Sequence, residues 1–248
     1  MRLAIIHYDD SLSPGGINTN IRETFLGLLE KDVEVHIIQP KSRAENEIKK
    51  HPNFHEIVNP KFSPPFNISP SFIRSLKKTI RQINPDIVHV HSHMNLLSHS
   101  IIRELRKLLP SVSIVFSPHL DVAISSRLAR PFFSIFNRTF GRSSLRKVNA
   151  LIFNSQFEKE TYGDIVGEVK IPTITIPPGI SSIGKSVDRS WDSELSILSY
   201  GHFVKRKRVD RVISLFRALL DSPELVGVKL RLIICGGGAE EKNLRSQS

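Results

Sequence analysis

The chain has 248 residues, 40% hydrophobic and 24% charged, which is ordinary for a soluble globular protein, long for one domain and short for two. Its 35 Lys and Arg stand against 24 Asp and Glu, and the resulting +11 favours anionic partners without choosing among nucleic acid, anionic lipid and a phosphorylated ligand. The single cysteine, Cys235, excludes an intrachain disulfide, and no apolar run approaches the ~20 residues of a membrane-spanning helix.

Met1-Arg2-Leu3 enters a strand at once, without the layout of a signal peptide, so a cytoplasmic location is expected. After the strand at Leu3 to Ile6 comes "SPGGINTN", residues 13 to 20, and then a helix with Ile17, Ile21, Phe25 and Leu28 on one face. Val33 to Ile38 reads as a strand. Residues 40 to 70 are polar and Pro-rich, with a short strand around Ile57-Val58. A helix over about 70 to 83 carries Ile73, Leu76, Ile80 and Ile83 and is ended by Asn84-Pro85. Asp86 to His91 is a strand, Leu96 to Leu109 a helix and Val112 to Phe116 a strand. A basic, aromatic helix is predicted over about 127 to 147. Leu151 to Phe153 is a strand, Asn154-Ser155 caps a short helix, and Thr173 to Ile176 is a strand. These apolar strands alternate with helices and predict a parallel α/β sheet covered on both faces, with ligands beyond the strands' carboxyl ends. The expected units are residues 1–182, a polar linker at 183–194, and a second strand-helix-strand unit over 195–248. The last has a strand at Leu195 to Tyr200, a helix from about 207 to 220 and a strand at Leu230 to Ile234. About fifty residues cannot bury a large independent core, so this second unit is expected to be incomplete.

Gly15 and Gly16 lie between strand and helix, where backbone N–H groups and the helix dipole suit a phosphate; a plain tight turn is the other reading. His89, His91 and His93 share one side of an extended strand. Alternating histidines can hold a metal, but no downstream ligand set accompanies them, so a strand end bordering a cleft is preferred and no metal is expected. His119 and Asp121 follow the next strand; His119 either donates to a sugar hydroxyl or moves a proton, or is a surface turn residue. In the 127–147 helix Phe132, Phe136 and Phe140 line one face among Arg127, Arg130, Arg138, Arg142, Arg146 and Lys147. That pattern suits an anionic membrane surface, or a helix docked by its Phe face. "GHFVKRKRVD" places Lys205, Arg206, Lys207 and Arg208 at a strand-to-helix turn, able to grip a diphosphate or simply solvated. Gly236, Gly237 and Gly238 follow the next strand in the same way.

The order of these motifs resembles family four of the glycosyltransferases, retaining enzymes with two facing Rossmann-like domains (the GT-B architecture). "SPGGINTNIRETFLGLL" is similar to the family's glycine-rich first loop and helix, "PDIVHVHS" to the strand before its acceptor region, and "SPHLD" to its histidine loop. "LIFNSQFEKE" and "TITIPPGI" resemble the end of its first domain. "ILSYGHFVKRKRVDRVI" and "LIICGGGAEEKNL" resemble the opening of its nucleotide-sugar domain. The resemblance implies that Gly15 and Gly16 lie near the donor phosphates, that His119 contacts the transferred sugar, and that Lys207 neutralises the leaving diphosphate. Arg206, His202 and Gly236 to Gly238 would border that diphosphate, and His91, Asn154 and Ser155 the acceptor side. His202 stands where the family has arginine and Arg208 where it has glycine. The family's paired-glutamate segment would fall beyond Ser248, so a chain ending there is expected to show little or no transferase activity by itself.

The implied reaction moves a sugar from a nucleotide-diphosphate sugar, a co-substrate, to a glycan or lipid hydroxyl with retention of configuration, with no cofactor and no metal. An anionic membrane surface, the inner face, is a candidate attachment site. The alternative is a non-catalytic module binding anionic lipid or sugar. A nucleic-acid partner is not expected: helix-turn-helix, zinc and aromatic-sheet signatures are all missing.

Overall fold

A computed structural model describes residues 1–8, 10–13, 15–42, 44, 46–58, 70–91, 96–120, 135–168, 170–179 and 194–247. The chain divides into two compact units, Met1–Ser182 and Ile183–Ser248.

Unit 1 is built on seven parallel strands: β1 (Arg2–His7), β2 (Glu34–Pro40), β3 (Phe54–Ile57), β4 (Ile87–His91), β5 (Ser113–Ser117), β6 (Ala150–Phe153) and β7 (Thr173–Thr175), in the order β3-β2-β1-β4-β5-β6-β7. The helices are α1 (Gly16–Leu29), α2 (Pro70–Ile83), α3 (Leu96–Leu108), α4 (Arg142–Leu145) and α5 (Gln156–Val166). Successive strand residues point to opposite faces. Leu3, Ile5, Val35 and Ile37 therefore meet Ile21 and Phe25 of α1, while Ala4, Ile6, Val88 and Val90 meet Phe72, Leu76, Ile80, Ile101 and Leu105 of α2 and α3. Burial on both faces accounts for strands without strict hydrophobic alternation. Strand order reverses between β1 and β4, and the carboxyl edge at such a switch point is where a sheet of this kind has its ligand crevice.

Several expected boundaries shift for physical reasons. The short strand lies at Phe54–Ile57, not around Ile57-Val58, because Ile37 to Pro40 pair with Phe54 to Ile57 and leave Val58 exposed. Asn84 adopts a left-handed φ of 48° and closes α2, as a residue before proline cannot continue the helix. Of the aromatic helix expected over 127 to 147, residues 127–134, with Phe132, lie outside the described residues. The remainder widens into a π turn at Asn137–Gly141 before α4. There Phe136 and Phe140 stack 5.5 Å apart and pack against His99 of α3, with the Arg103 guanidinium 4.9 Å over Phe140. Arg138 and Arg142 are exposed.

Unit 2 contains β8 (Glu194–His202), α6 (Val209–Leu220), β9 (Lys229–Gly237) and α7 (Glu241–Arg245). β8 and β9 pair in parallel from Glu194↔Lys229 to His202↔Gly237. The strands outrun their apolar segments: Gly201, His202, Gly236 and Gly237 are strand residues, not loop residues. Gly236 is required by the closeness of the paired ends, since a Cβ there would stand 1.9 Å from the Gly201 carbonyl oxygen, and one on Gly238 2.6 Å from the Phe203 carbonyl oxygen. Phe203, Val209, Ile213 and Leu244 form the small core. The second helix begins at Val209, not 207, because Arg208 adopts a left-handed conformation (φ 52°, ψ 39°) and separates α6 from a single 3-10 turn at Lys205–Lys207.

A side chain at left-handed φ is strained relative to glycine, and the exposed Arg208–Asp210 ion pair offsets little of that. Arg208→Gly is expected to slow amide hydrogen exchange in the first turn of α6 by about threefold; unchanged or faster exchange contradicts the strain.

Candidate functional site

The crevice of unit 1 is floored by histidines delivered by strand register. His7, the last residue of β1, pairs with His91, the last of β4, and His91 pairs with Ser117, the last of β5. His89 lies two residues back along β4 on the same side, with its ring centroid 3.9 Å from that of His91. The loop after β5 brings His119 over this row in a left-handed conformation (φ 44°). All four histidines are at least nine-tenths buried.

Burial makes their hydrogen bonds obligatory. The Asn154 amide nitrogen is 2.9 Å from His119 Nδ1, and His119 Nε2 is 2.9 Å from His91 Nδ1. His91 Nε2 is 3.1 Å from His89 Nδ1, and His89 Nε2 is 2.9 Å from Ser117 Oγ. The five side chains form one continuous chain. Burial holds His91 well below the ordinary value of 6.5, helped by the charges that His89, His119 and His7 would carry. Burial alone lowers His89 to about 4. His89 and His91 are therefore neutral near pH 7.

His7 joins this floor to the glycine loop. Its Nε2 donates to Asn18 Oδ1 at 3.0 Å, and the Asn18 amide donates to Ser13 Oγ at 2.8 Å. Arg22 of α1 donates to the Ser11 carbonyl at 2.6 Å, and Gln39 Oε1 accepts from Ser11 N–H at 3.0 Å. The loop is thus tied down on three sides. A Cβ on Gly15 would lie 3.2 Å from the Asn18 amide nitrogen, a tight contact that would press on this closure. Gly16, the first residue of α1, has no atom of a described residue within 4 Å of an added Cβ, so open space lies beside the helix start. Gly15 makes no side-chain cap and the first turn of α1 holds no acidic residue, so no side-chain charge in that turn offsets the positive end of the helix dipole, an end that suits an anion.

Two loops meet through Glu158, a residue that sequence reasoning missed. Its Oε1 accepts from Leu120 N–H at 2.7 Å and its Oε2 from Asn154 N–H at 2.6 Å, with the side chain buried. One carboxylate fixes the backbone on either side of His119 and Asn154. Ser155 Oγ caps α5 by accepting from Glu158 N–H at 3.1 Å. The Ser155-x-x-Glu158 spacing, that of a capping box, was the available signal for Glu158. Arg22 and Asn18 carried none, since their roles depend on where the loop folds.

The structure therefore brings Gly15, Gly16, His91, His119 and Asn154 to one edge of unit 1, with Ser155 exposed beside them as a helix cap. Both His119 ring nitrogens are engaged, so a ligand reaching one must displace a bond. His93 and Asp121 lie outside the described residues. Among the described residues no group of three or more His, Cys, Asp or Glu is placed to hold a metal ion, the crevice histidines being bonded to one another. No described helix is long and apolar enough to cross a membrane.

The residues read from the second unit gather at its own strand ends. His202, the last residue of β8, and Lys205, Arg206 and Lys207 in the turn after it are exposed. Lys205 and Arg208 line a cavity of about 530 Å³ with Asp210, Glu240 and Asn243. Arg208 is paired with Asp210 at 2.9 Å, whereas the Lys207 ammonium has no partner among the described residues. Gly236 and Gly238 have the packing role given above, and Gly237 alone would admit a Cβ without collision.

A doubly wound parallel sheet with a glycine-opened helix start at its switch point, followed by a second parallel strand pair with a cationic turn, defines the α/β class to which the GT-B transferases belong. The model of Glycosyltransferase Family 4 matches residues 14–182, and the chain belongs to that family. Solved structures agree in fold. The chain is similar to sucrose-phosphate synthase from Thermosynechococcus elongatus (TM-score 0.66, 16% identity, covering 99% of this chain and 66% of that one). It is similar also to the lipopolysaccharide outer core galactosyltransferase WaaB (0.61, 17%, 100% and 64%). A third is WaaG, a glycosyltransferase involved in lipopolysaccharide biosynthesis (0.62, 15%, 99% and 66%). The chain spans 64–66% of the length of these three. No protein of curated function matches it in sequence.

Glu158→Gln replaces one acceptor by an amide facing an N–H donor and leaves a buried group unpaired. It is expected to destabilise unit 1 by about 1–3 kcal/mol in urea unfolding; a loss indistinguishable from zero would refute the clamp. The buried histidines set a pH dependence. His89 and His99 are lowered to about 4 and His91 well below 6.5, all first by burial, so the unfolded chain binds protons near pH 6.5 that the folded chain refuses. Their stabilising contribution is complete above pH 6.5 and is lost as pH falls toward about 4. Unfolding free energy should drop across this window by about 1.4 kcal/mol per pH unit for each ring. A flat profile there contradicts neutral burial.

Proposed function

We propose that the protein transfers a sugar from a nucleotide-diphosphate sugar to a hydroxyl of a glycan or lipid acceptor, with retention of configuration. The observation that carries this reading is the edge of unit 1, where an uncapped helix start and a buried histidine–asparagine array share one crevice. A helix start with open space at Gly16 suits a phosphate oxygen, and backbone N–H groups hold it without a side chain. Neutral imidazoles and an amide suit uncharged hydroxyls, because buried neutral groups discriminate by donor and acceptor geometry. By the family resemblance Lys207 matches the residue that neutralises the departing diphosphate, and a cation set in place before the reaction stabilises that developing charge without reorganising. The anomeric outcome is inherited from the family resemblance.

Binding and turnover test the reading separately. The full chain is titrated with a panel of nucleotide diphosphates by thermal shift, and sugar transfer from the corresponding nucleotide-diphosphate sugars is followed with glycan and lipid acceptors in the presence of a chelator. The expected result is stabilisation by at least one diphosphate, and any turnover is metal-independent and lowered about a hundredfold by Lys207→Ala. Stabilisation by a free sugar or anionic lipid, with none by a nucleotide diphosphate, favours the non-catalytic module. Stabilisation by no nucleotide diphosphate overturns the proposal.

A further inference from the structure

Hydrogen-bond chemistry fixes where the protons of the buried chain reside. An amide nitrogen only donates. The Asn154 amide nitrogen stands 2.9 Å from His119 Nδ1, so Nδ1 must accept and the neutral ring carries its proton on Nε2. That N–H meets His91 Nδ1 at 2.9 Å, which must accept in turn. The same step passes from His91 Nε2–H to His89 Nδ1 at 3.1 Å, and from His89 Nε2–H to Ser117 Oγ at 2.9 Å. One amide sets three tautomers, and three tautomers hold one amide. The chain has a single sense, Asn154 to His119 to His91 to His89 to Ser117.

Its outer end is the half-buried Asn154. Turning this amide by half a rotation would set its oxygen against His119 Nδ1, which carries no proton, and every link behind it would need re-protonation. The nitrogen is therefore committed inward. The side-chain oxygen has no hydrogen bond among the described residues and can only accept.

We propose that His91 is a positioning residue. Through His119 it holds the Asn154 side chain with its carbonyl oxygen presented as the acceptor for a ligand hydroxyl. His91 itself touches no ligand. The proposal rests on the sugar-transfer reading only for the identity of that hydroxyl, and the orientation is independent of it. A side chain locked by neighbours that are themselves locked keeps its geometry when substrate arrives.

The test uses the full chain labelled with 15N in its histidines and asparagines. Long-range proton–nitrogen spectra report which ring nitrogen carries the proton. His119, His91 and His89 are each expected in the Nε2–H form; an Nδ1–H form at any of them overturns the proposal. His91→Phe fills the space but breaks two links, and should leave His119 in a mixture of tautomers and shift the Asn154 side-chain NH2 signals. Asn154→Asp is the second variant: a carboxylate accepts from Nδ1, so His119 should become doubly protonated while His91 and His89 keep Nε2–H. If His91→Phe does not fold, Asn154→Asp decides alone. An unchanged His119 in whichever variant folds overturns the relay. Where the wild type turns over a nucleotide-diphosphate sugar, His91→Phe should lower kcat by about tenfold to a hundredfold with KM for the donor little changed. Stabilisation of the wild type by no nucleotide diphosphate counts against sugar transfer, while the tautomers still decide the relay.

Discussion

A row of imidazoles can be buried in a parallel sheet only if every ring nitrogen that needs a partner finds one. The register of β1, β4 and β5 meets this requirement by ending three neighbouring strands on His7, His91 and Ser117. Everything at the crevice follows from that alignment. His119 must descend onto the row to close it, which demands the left-handed backbone at that residue. Asn154 must in turn reach His119. A slip of one residue in β4 would send His89 and His91 to the opposite face and leave valines in their place.

The crevice is thus a product of non-local accounting. Glu158 shows the same logic from the backbone side. A carboxylate with both oxygens spent on loop N–H groups ties two connections into one shelf. Asn18 and Arg22 do the equivalent for the glycine loop. The groups facing a ligand are few, and most of the polar side chains near the crevice hold those few in place. Such an arrangement favours recognition by preset geometry over recognition by charge, although the chain as a whole is strongly basic.

Much of the fold was legible because local rules sufficed. The four, four and three spacing in α1, the Asn84-Pro85 stop and the Ser155 cap all read directly from neighbours in sequence. What failed depends on pairing. β8 and β9 run on through glycines that carry no strand signal, because each glycine end is matched by the other. The start of α6 moved because Arg208 occupies a conformation that its side chain disfavours. At the site, His91, His119 and Asn154 could be placed at strand ends but not linked. Their bonds join residues 28 and 35 positions apart in sequence. Glu158 hid inside an ordinary helix start.

The lengths of the outermost strands carry a last consequence. The large sheet is bounded by β3, four residues long, and β7, three. So little exposed ladder offers a poor template for another chain's strand. The two strands of the smaller unit are nine residues each, and among the described residues each pairs only with the other, which leaves an outer edge on both. Leu198 and Tyr200 of β8 are more than half exposed. Unwanted self-association, where it occurs, should begin in the smaller unit, and a lysine introduced at an outward-facing site on β8 would be a rational remedy.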